Sequence, residues 1–506
     1  MFPIVLLGVL ALCVLIWVLE KYPLNSRATT PQTHGNSTAI VPSTYYYTLS
    51  QFQRKRIYST QALCSSSTEP NYFCVQKKTT PTYEIPENIL RLLKGNLVPD
   101  FLRIPLSPST YKDYFAFLLY AEDYYIEKWS EFCLSNVALE LRKAELHEKL
   151  GKKNFQDGKF LVSFEIDSVP ERRPYLRSRD FVLVRPSGTS IEPFQGILYR
   201  VERSALVLVD FRDDFHSQHN PNRRYDVSFS FNRVCLKRCH KAIETAATNP
   251  SLLDFLFPNR IITGSYNMFL GPSYQNFKAK HEYVLNYVCR LRSAPPYLIE
   301  GPPTVISGKL SSTGILIQKM ILQILRSSKS SRILMCAPIN ITCDVLMRSL
   351  KSEIHESTIF RANAAFREID AVPDDILPSC SYKGECFTCP SLDELQNFKV
   401  IISTYVSSFR LISEGITPSH FTHVFMVDAS SATEPETMVT LANMVGEETG
   451  VVIAGTERNF SGWVRSDIGR KYGLQKSYFQ RLFEMEPYCR LSPALITRIA
   501  PSGGTR

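Results

Sequence analysis

One stretch of the sequence, between Tyr297 and Gly314, constrains the fold more than any other. It reads YLIEGPPTVISGKLSSTG, and an apolar run from Ile315 to Leu325 follows it. A short strand, a Gly-Pro-Pro turn, a Gly-Lys pair and then a helix is the order of elements around a nucleotide-phosphate-binding loop. The sequence therefore predicts an α/β domain in which this loop follows a strand of a parallel sheet.

The loop departs from the pattern that P-loop NTPases require. That pattern is G-x-x-x-x-G-K-[ST], but here six residues separate Gly301 from Gly308, and leucine follows Lys309 where a magnesium-binding hydroxyl belongs. Two interpretations stay open. Lys309 reaches the phosphates from a refolded, longer loop, with Ser311 or Ser312 supplying the hydroxyl, or it is an ordinary solvated lysine.

Short apolar runs continue to alternate with helical patterns beyond this loop. Such alternation indicates a parallel sheet with crossover helices, in which ligands bind at the carboxyl ends of the strands. The predicted strands are Tyr297–Ile299, Arg332–Cys336, Val400–Ser403, Val424–Val427 and Val451–Ala454.

Upstream of this domain the sequence changes character twice. Residues 101–157 are predicted to be a helical region, because aromatic and apolar residues recur at helical spacing from Thr110 onward. Residues 158–245 hold five short β runs separated by turn residues, which is typical of a small β-barrel. Residues 23–100 are predicted to be a linker or region of low order.

The N-terminus is apolar. Phe2 to Leu19 contains 18 residues without a charge, enough for a hydrophobic helix that spans a bilayer. We therefore predict a membrane anchor over residues 1–22; a mistaken gene start or an unrelated leader remains the alternative. The basic residues that follow it place the body of the protein in the cytosol.

Composition agrees with a cytosolic body. The 13 cysteines are an odd number, which favours reduced thiols over a disulfide framework. Cys380, Cys386 and Cys389 form the tightest group and are interpreted either as free thiols or as part of a zinc site. The net charge of +10 is compatible with an anionic partner such as RNA or a membrane surface.

Five segments at the predicted strand ends carry a family resemblance. They are GPP at Gly301–Pro303, APINITCD at Ala337–Asp344, STYVSSFRL at Ser403–Leu411, VDASSATEPE at Val427–Glu436 and IAGTERN at Ile453–Asn459. Their order and spacing resemble the first RecA-like domain of superfamily-1 Upf-like RNA helicases, and most of all the silencing-defective, Armitage and Mov branch. The resemblance covers roughly residues 100 to 485. It implies a degenerate RecA-like domain over 246–485 and a tail over 486–506, with no second RecA-like domain within this chain.

The resemblance also implies a nucleotide site, which is damaged. The family binds Mg-ATP, and the remnant of that site is Gly301, Pro302, Pro303, Gly308, Lys309, Thr313, Asp428 and Gly455. Asp428 matches the magnesium ligand, but Ala429 replaces the glutamate that positions the attacking water, so no catalytic residue is expected. The family's third motif is normally Gly-Asp-Pro-x-Gln. Here it reads Gly455-Thr456-Glu457-Arg458-Asn459, without the Asp, Pro and Gln.

The RNA-facing segments of the family are better preserved. The residues that match its RNA contacts are Ala337, Pro338, Asn340, Thr404 and Arg410, although Asn340 could instead cap the following helix. We therefore expect a helicase-like protein of cytoplasmic RNA silencing that binds RNA and silencing proteins without ATP-driven unwinding. The alternatives are an active RNA helicase with an unorthodox loop and a membrane-tethered adaptor that binds only protein.

Overall fold

The chain is described here by a computed structural model. It describes residues 83–499, apart from 144–159, 179, 204, 259–276, 293–294, 384–385, 458–463 and 491–493. The predicted anchor at 1–22 and most of the predicted linker at 23–100 lie outside these residues. Within the described ranges, no helix is both long enough and apolar enough to cross a membrane.

The described chain begins with two helices, α1 (Glu87–Lys94) and α2 (Tyr111–Glu127). Helix α2 confirms the helical pattern predicted from Thr110, and it buries Phe115 and Leu118 among other apolar side chains. The helical prediction for all of 101–157 is wrong beyond this point, because two strands follow at Cys133–Ala138 and Glu140–Lys143. Their backbone groups pair with strands further along the chain, which local periodicity does not reveal.

A seven-stranded antiparallel, barrel-like sheet follows α2, and we call it the barrel sheet. The strands are β1 (Cys133–Ala138), β2 (Glu140–Lys143), β3 (Phe160–Glu165), β4 (Phe181–Pro186), β5 (Phe194–Glu202), β6 (Leu206–Asp210) and β7 (Arg224–Ser230). Their order in the sheet is β1-β7-β4-β5-β6-β3-β2. All five predicted runs form strands. Val207, Val209 and Val227 are fully buried in the core of this sheet, because alternate side chains of a strand point to the same face.

The predicted barrel segment ends too late. Its last residues, from Val234, already belong to a helix that packs against α2 rather than to the barrel sheet. The helices in this part of the chain are α3 (Asp213–His216), α4 (Val234–Thr248) and α5 (Pro250–Leu256).

The second sheet has seven strands and is parallel throughout, with strand order β12-β15-β11-β16-β17-β8-β18. Two small hairpins, β9–β10 and β13–β14, lie between its strands along the chain. The strands are β8 (Tyr297–Glu300), β9 (Val305–Ile306), β10 (Lys309–Leu310), β11 (Ile333–Ala337), β12 (Ile359–Ala362), β13 (Tyr382–Lys383), β14 (Cys386–Phe387), β15 (Val400–Thr404), β16 (His423–Met426), β17 (Gly450–Gly455) and β18 (Ile496–Arg498).

All five strands predicted for the parallel sheet are present, and two more complete it. Strand β12 was not predicted, and β18 lies in the segment 486–506 that was interpreted as a tail. At three residues, β18 is too short to show a period, and its pairing with β8 is a tertiary contact.

Helices cover both faces of the parallel sheet. On β11, Leu334 and Cys336 face the core cluster that includes α2, α4 and α5, whereas Ile333 and Met335 face a second cluster. Such strands read as continuous apolar runs because both of their faces are buried. The remaining helices are α6 (Phe277–Arg290), α7 (Ser312–Ser327), α8 (Asn340–Lys351), α9 (Leu392–Asn397), α10 (Phe409–Ser413), α11 (Glu434–Met444), α12 (Asp467–Lys471), α13 (Tyr478–Glu484) and α14 (Glu486–Cys489).

Candidate functional site

The carboxyl ends of the parallel strands bring the sequence motifs to one edge of the sheet. The loop after β8 contains the Gly-Pro-Pro turn, and the segments after β11, β15, β16 and β17 contain the other four motifs. Gly301 donates its N–H to the carbonyl of Gly455 at 3.0 Å, which ties the first of these loops to the last. This edge is where ligands bind in sheets of this kind.

The extra residues of the phosphate-loop segment form a two-stranded hairpin. Strand β9 pairs antiparallel with β10, and the connecting Ser307 and Gly308 both have positive φ angles, of 49° and 74°. Two residues with positive φ are what a tight two-residue hairpin turn requires. The N–H of Ser311 donates to the carbonyl of Thr304 at 3.0 Å, which closes the neck of the hairpin.

This hairpin settles which residues correspond to the family's loop. Residues 305–310 form it, so four residues remain before it (Gly301–Thr304) and four after it (Ser311–Gly314). Together these eight residues equal the length of the GPPGTGKT loop of the family. Thr313 and Gly314 then stand where its lysine and threonine stand, and the exposed Lys309 belongs to the inserted hairpin.

The start of α7 is packed tightly against the loop. The Ser311 side chain caps the helix by accepting from the N–H of Gly314 at 3.3 Å. A Cβ atom on Gly314 would lie 2.4 Å from the carbonyl oxygen of Thr304, so the larger threonine of the family does not fit there. The hydroxyls of Thr304, Ser312 and Thr313 are buried, and none of them has a hydrogen-bond partner among the residues that the structure describes.

Asp428 is held by protein groups on both of its carboxylate oxygens. Its backbone is left-handed, with φ 54° and ψ 34°. Oδ1 accepts from the N–H of Thr304 at 2.7 Å, and Oδ2 accepts from the hydroxyl of Thr342 at 3.0 Å. The next residue, Ala429, is fully buried and has no group that could orient water.

These residues do not fit Mg-ATP. A phosphate site of this family needs a lysine beside the β- and γ-phosphates and an aspartate that reaches magnesium through water. Here the lysine position carries Thr313, and Asp428 accepts on one oxygen from Thr304 of the loop that should enclose the phosphates and on the other from Thr342 of α8.

The other nucleotide-site residues have structural explanations. A Cβ atom on Gly455 would lie 2.8 Å from the ring of Phe479, which accounts for the glycine. Pro302 is half-buried and Pro303 is exposed in the turn after β8. Glu434, in the VDASSATEPE segment, is buried, and the guanidinium of Arg481 donates to its carboxylate at 2.7 and 2.8 Å.

The predicted RNA contacts divide into half-buried and buried groups. Ala337 is fully buried at the end of β11, and Pro338 and Thr404 are half-buried. Asn340 does not cap α8, because Ile339 holds the capping position, so the capping interpretation is wrong. Instead, Oδ1 of Asn340 accepts from Nη2 of Arg361 at 2.8 Å, which leaves its NH₂ group as the end that is available to an acceptor.

The prediction for Arg410 is corrected. This residue is only 8% exposed, and its guanidinium donates to the backbone carbonyls of Asn363 at 2.5 Å and Phe387 at 2.8 Å. Because the guanidinium of Arg410 is buried and bonded to two carbonyls, it stabilises the segment after β12 and is not accessible to a phosphate.

Sequence reasoning missed a buried charge network behind this edge. Oδ1 of Asp344 accepts from Nε of Arg361 and Nη1 of Arg367, each at 3.0 Å, and Oδ2 accepts from Nη2 of Arg367. Arg361 is completely buried within β12. The available signal was an arginine inside an otherwise apolar run, IFRA, since a buried charge needs a partner.

No zinc site forms in the described part of the chain. There, no three His, Cys, Asp or Glu side chains come close enough together to hold a metal ion. Cys380 accepts from the amide of Asn363 at 3.1 Å, and Cys386 faces the carbonyl of Lys383 at 3.4 Å. In the described part of the chain, the cysteines form no disulfide bonds.

Comparison with known proteins agrees with this architecture. Residues 145–229 match the family model described as "Helicase MOV-10, beta-barrel domain". The Danio rerio "Putative helicase mov-10-B.1" is 28% identical over 81% of this chain and 40% of its own length. The human "RNA helicase Mov10l1" is 25% identical over 87% of this chain and 40% of its own length, and the Drosophila melanogaster "Probable RNA helicase armi" is 27% identical over 77% and 34%.

These matches confirm the predicted resemblance to the Mov and Armitage branch of helicases. The chain spans about two fifths of the length of the curated relatives it matches.

Proposed function

We propose that this chain, a relative of the Mov-10 and Armitage helicases, binds RNA without ATP-driven unwinding. Its parallel-sheet domain is a RecA-like domain whose nucleotide site has been replaced by protein contacts, while its RNA-facing edge remains. The protein acts in RNA silencing on the cytosolic side, with silencing proteins as partners.

One observation carries the loss of catalysis. Both oxygens of Asp428 accept from groups within the same edge, the N–H of Thr304 and the hydroxyl of Thr342. A magnesium-bound water would have to share these oxygens with the two donors, and the eight loop residues outside the hairpin include no lysine to compensate the phosphates. Losing a general base or water-orienting group such as the one that Ala429 replaces typically costs a factor of about 10²–10⁴ in rate.

Two observations support RNA as the ligand. The relatives that match most of the chain are named RNA helicases. At the edge, the NH₂ group of Asn340 and the half-buried Thr404 are uncharged, and such groups suit sugar-phosphate contacts that position RNA without reading its sequence.

The RNA-binding half of the proposal is tested by fluorescence anisotropy with a labelled single-stranded RNA. We expect saturable binding that weakens as salt is raised, because bound phosphates release counterions. Binding that is absent, or unaffected by salt, would favour the alternative of an adaptor that binds only protein.

The catalytic half is tested by ATP turnover with and without RNA. We expect no RNA-stimulated hydrolysis, and the same result for Lys309→Ala, because Lys309 lies in the exposed hairpin. RNA-stimulated hydrolysis that disappears in Asp428→Ala would contradict the proposal and favour an active helicase with an unorthodox loop.

A separate part of the proposal concerns residues 2–19, which we propose to tether the protein to a membrane. A chain without residues 1–22 should move from the membrane fraction to the soluble fraction when cells are fractionated. An unchanged distribution would count against the tether and leave RNA binding unaffected.

A further inference from the structure

Three arginines converge where the barrel sheet meets the parallel-sheet domain. Arg177 lies in the segment between β3 and β4, Arg238 lies on α4, and Arg465 lies just before α12. The guanidiniums of Arg465 and Arg177 lie 4.7 and 5.7 Å from the centre of the Tyr175 ring. The exposed thiol of Cys235 lies within electrostatic reach of all three guanidiniums. We call Arg177, Arg238 and Arg465 the arginine cluster.

The arginine cluster is not neutralised by ion pairs. Among the residues that the structure describes, no carboxylate forms an ion pair with any of its three guanidiniums. The nearby Glu122 instead accepts from the backbone N–H groups of Arg465 and Ser466 at 3.0 and 2.7 Å.

Asp180 and Glu436, the other carboxylates near the cluster, are engaged in the same way. Asp180 accepts from the backbone N–H groups of Arg177 at 2.7 Å and Asn232 at 2.8 Å, and Glu436 accepts from the N–H of Thr433 at 2.9 Å. Among the residues that the structure describes, these three carboxylates are thus directed at backbone amides, and none of them is in contact with a guanidinium of the cluster.

Arg465 shows the resulting deficit most clearly. Its Nε and Nη2 atoms are buried and have no hydrogen-bond partner in the described part of the chain. Burial lowers the pKa of its guanidinium, and the positive charge of Arg177 lowers that pKa further. A buried donor without an acceptor is unfavourable, and more so when it is charged. An anionic group beside Arg465 would satisfy both atoms.

Tyr175 adds an aromatic ring to the cluster, which the binding of a simple anion would not require. Tyr175 is 54% exposed although it is large and aromatic, and two guanidiniums lie within 6 Å of the centre of its ring. Exposed aromatic rings beside basic groups are how proteins hold single strands, because each base can stack on a ring while its phosphate meets a positive charge.

The arginine cluster also adjoins the predicted RNA edge. Nη1 of Arg238 donates to the carbonyl of Val406 at 2.9 Å, and its guanidinium lies 5.2 Å from the ring of Phe409. Val406 lies between Thr404 and Ser407, whose hydroxyls are hydrogen-bonded to each other at 2.8 Å. The arginine cluster is therefore in contact with the segment after β15 that holds the predicted RNA contact Thr404.

We propose that the arginine cluster and Tyr175 form a second contact for single-stranded RNA, in which the arginines bind phosphates and the tyrosine stacks on a base. This inference rests on the proposed RNA-binding function and extends it from the parallel-sheet edge to the junction with the barrel sheet. It also supplies the positive charge that Arg410, buried behind the edge, does not present.

The test uses the full chain and a fluorescein-labelled oligouridine of 15 nucleotides, titrated between 50 and 300 mM KCl. Arg177→Gln and Arg465→Gln should each lower the slope of log affinity against log salt by about 0.7, the value for one phosphate contact on a single strand. Tyr175→Ala should weaken binding by about tenfold at every salt concentration, because the stacking of a base on an aromatic ring is not ionic.

Arg142→Gln is the matched control. Arg142 is an exposed arginine on β2 of the same barrel sheet, but a carboxylate oxygen of Glu140 lies 3.6 Å away. The Arg142→Gln change removes the same net charge as the cluster variants. The slope of log affinity against log salt should therefore stay within about 0.2 of the native value, where one phosphate contact corresponds to about 0.7. Because Arg177 and Tyr175 are exposed, their variants decide the matter if Arg465→Gln does not fold.

The possible results separate the two proposals. If the native chain binds RNA with a salt dependence and the cluster variants behave like Arg142→Gln, the second contact is wrong and the proposed function stands. If the native chain does not bind RNA, both fail. Competition by polyglutamate as effective as that by unlabelled RNA, with no effect of Tyr175→Ala, would overturn RNA in favour of an acidic protein partner.

Discussion

Replacing Asp344 by alanine should destabilise the parallel-sheet domain by about 3–5 kcal/mol, the usual consequence of removing one partner from a buried ion pair. Asp344 is the carboxylate that both Arg361 and Arg367 contact. Arg361 is completely buried, so its charge would remain in the interior without a counterion. Urea denaturation followed by circular dichroism measures the change.

Asp375→Ala provides the matched control for that measurement. Asp375 also pairs with an arginine, Arg348, but both side chains are about half exposed. Exposed pairs contribute about 0–1 kcal/mol, because water screens them and the side chains lose rotamer freedom. Equal losses for Asp344→Ala and Asp375→Ala would show that the buried network does not stabilise the domain in the way the contacts indicate.

The same network has a functional consequence, since Arg361 also fixes the amide of Asn340. Any Asp344→Ala protein that remains folded is therefore expected to bind RNA more weakly than Asp375→Ala.

Rebuilding the phosphate loop should strengthen nucleotide binding, which we propose the native chain has lost. The change deletes residues 305–310 and combines Ser312→Gly, Thr313→Lys and Gly314→Thr, which restores G-x-x-x-x-G-K-T from Gly301. Without the hairpin, Thr304 no longer has to pair with Ser311, and its carbonyl can move away from residue 314. The lysine and the N–H groups at the start of α7 would then face the phosphates.

We expect Mg-ATP affinity to rise about a hundredfold in this variant, or about 2.8 kcal/mol, as measured by calorimetry or by displacement of a fluorescent nucleotide. Thr313→Lys alone, with the hairpin retained, is the control and should gain little, because Thr304 still donates to Asp428. If the native chain already binds Mg-ATP and Lys309→Ala abolishes that binding, the assignment of the hairpin as an insertion is wrong.

Local patterns were a good guide to the elements of this fold. The apolar runs located five of the seven strands of the parallel sheet, because strands buried on both faces appear as continuous apolar runs in the sequence. They missed β18, whose three residues form a strand only by pairing with β8. They also missed β1 and β2, which complete the barrel sheet through pairing with β7 and β3.

The candidate site was less predictable. The order of motifs located the edge of the sheet and the loss of the glutamate at Ala429, both of which are matters of residue identity. Whether Lys309 could reach a phosphate, and whether Asn340 capped a helix or Arg410 reached solvent, depended on the directions of side chains. Those directions follow from contacts with residues far away in the sequence, such as Arg361 with Asn340.

The sequence by itself indicated the α/β class, the resemblance to Mov and Armitage helicases, and alanine at the position of the family's glutamate, since each depends on local pattern or residue type. Only the tertiary structure decided that the extra loop residues form a closed hairpin and that Thr304 and Thr342 occupy the oxygens of Asp428. Only it, too, brought Arg177, Arg238 and Arg465 together from three distant segments. Hydrogen bonds and charge clusters of this kind depend on distances in space, which a linear sequence does not specify.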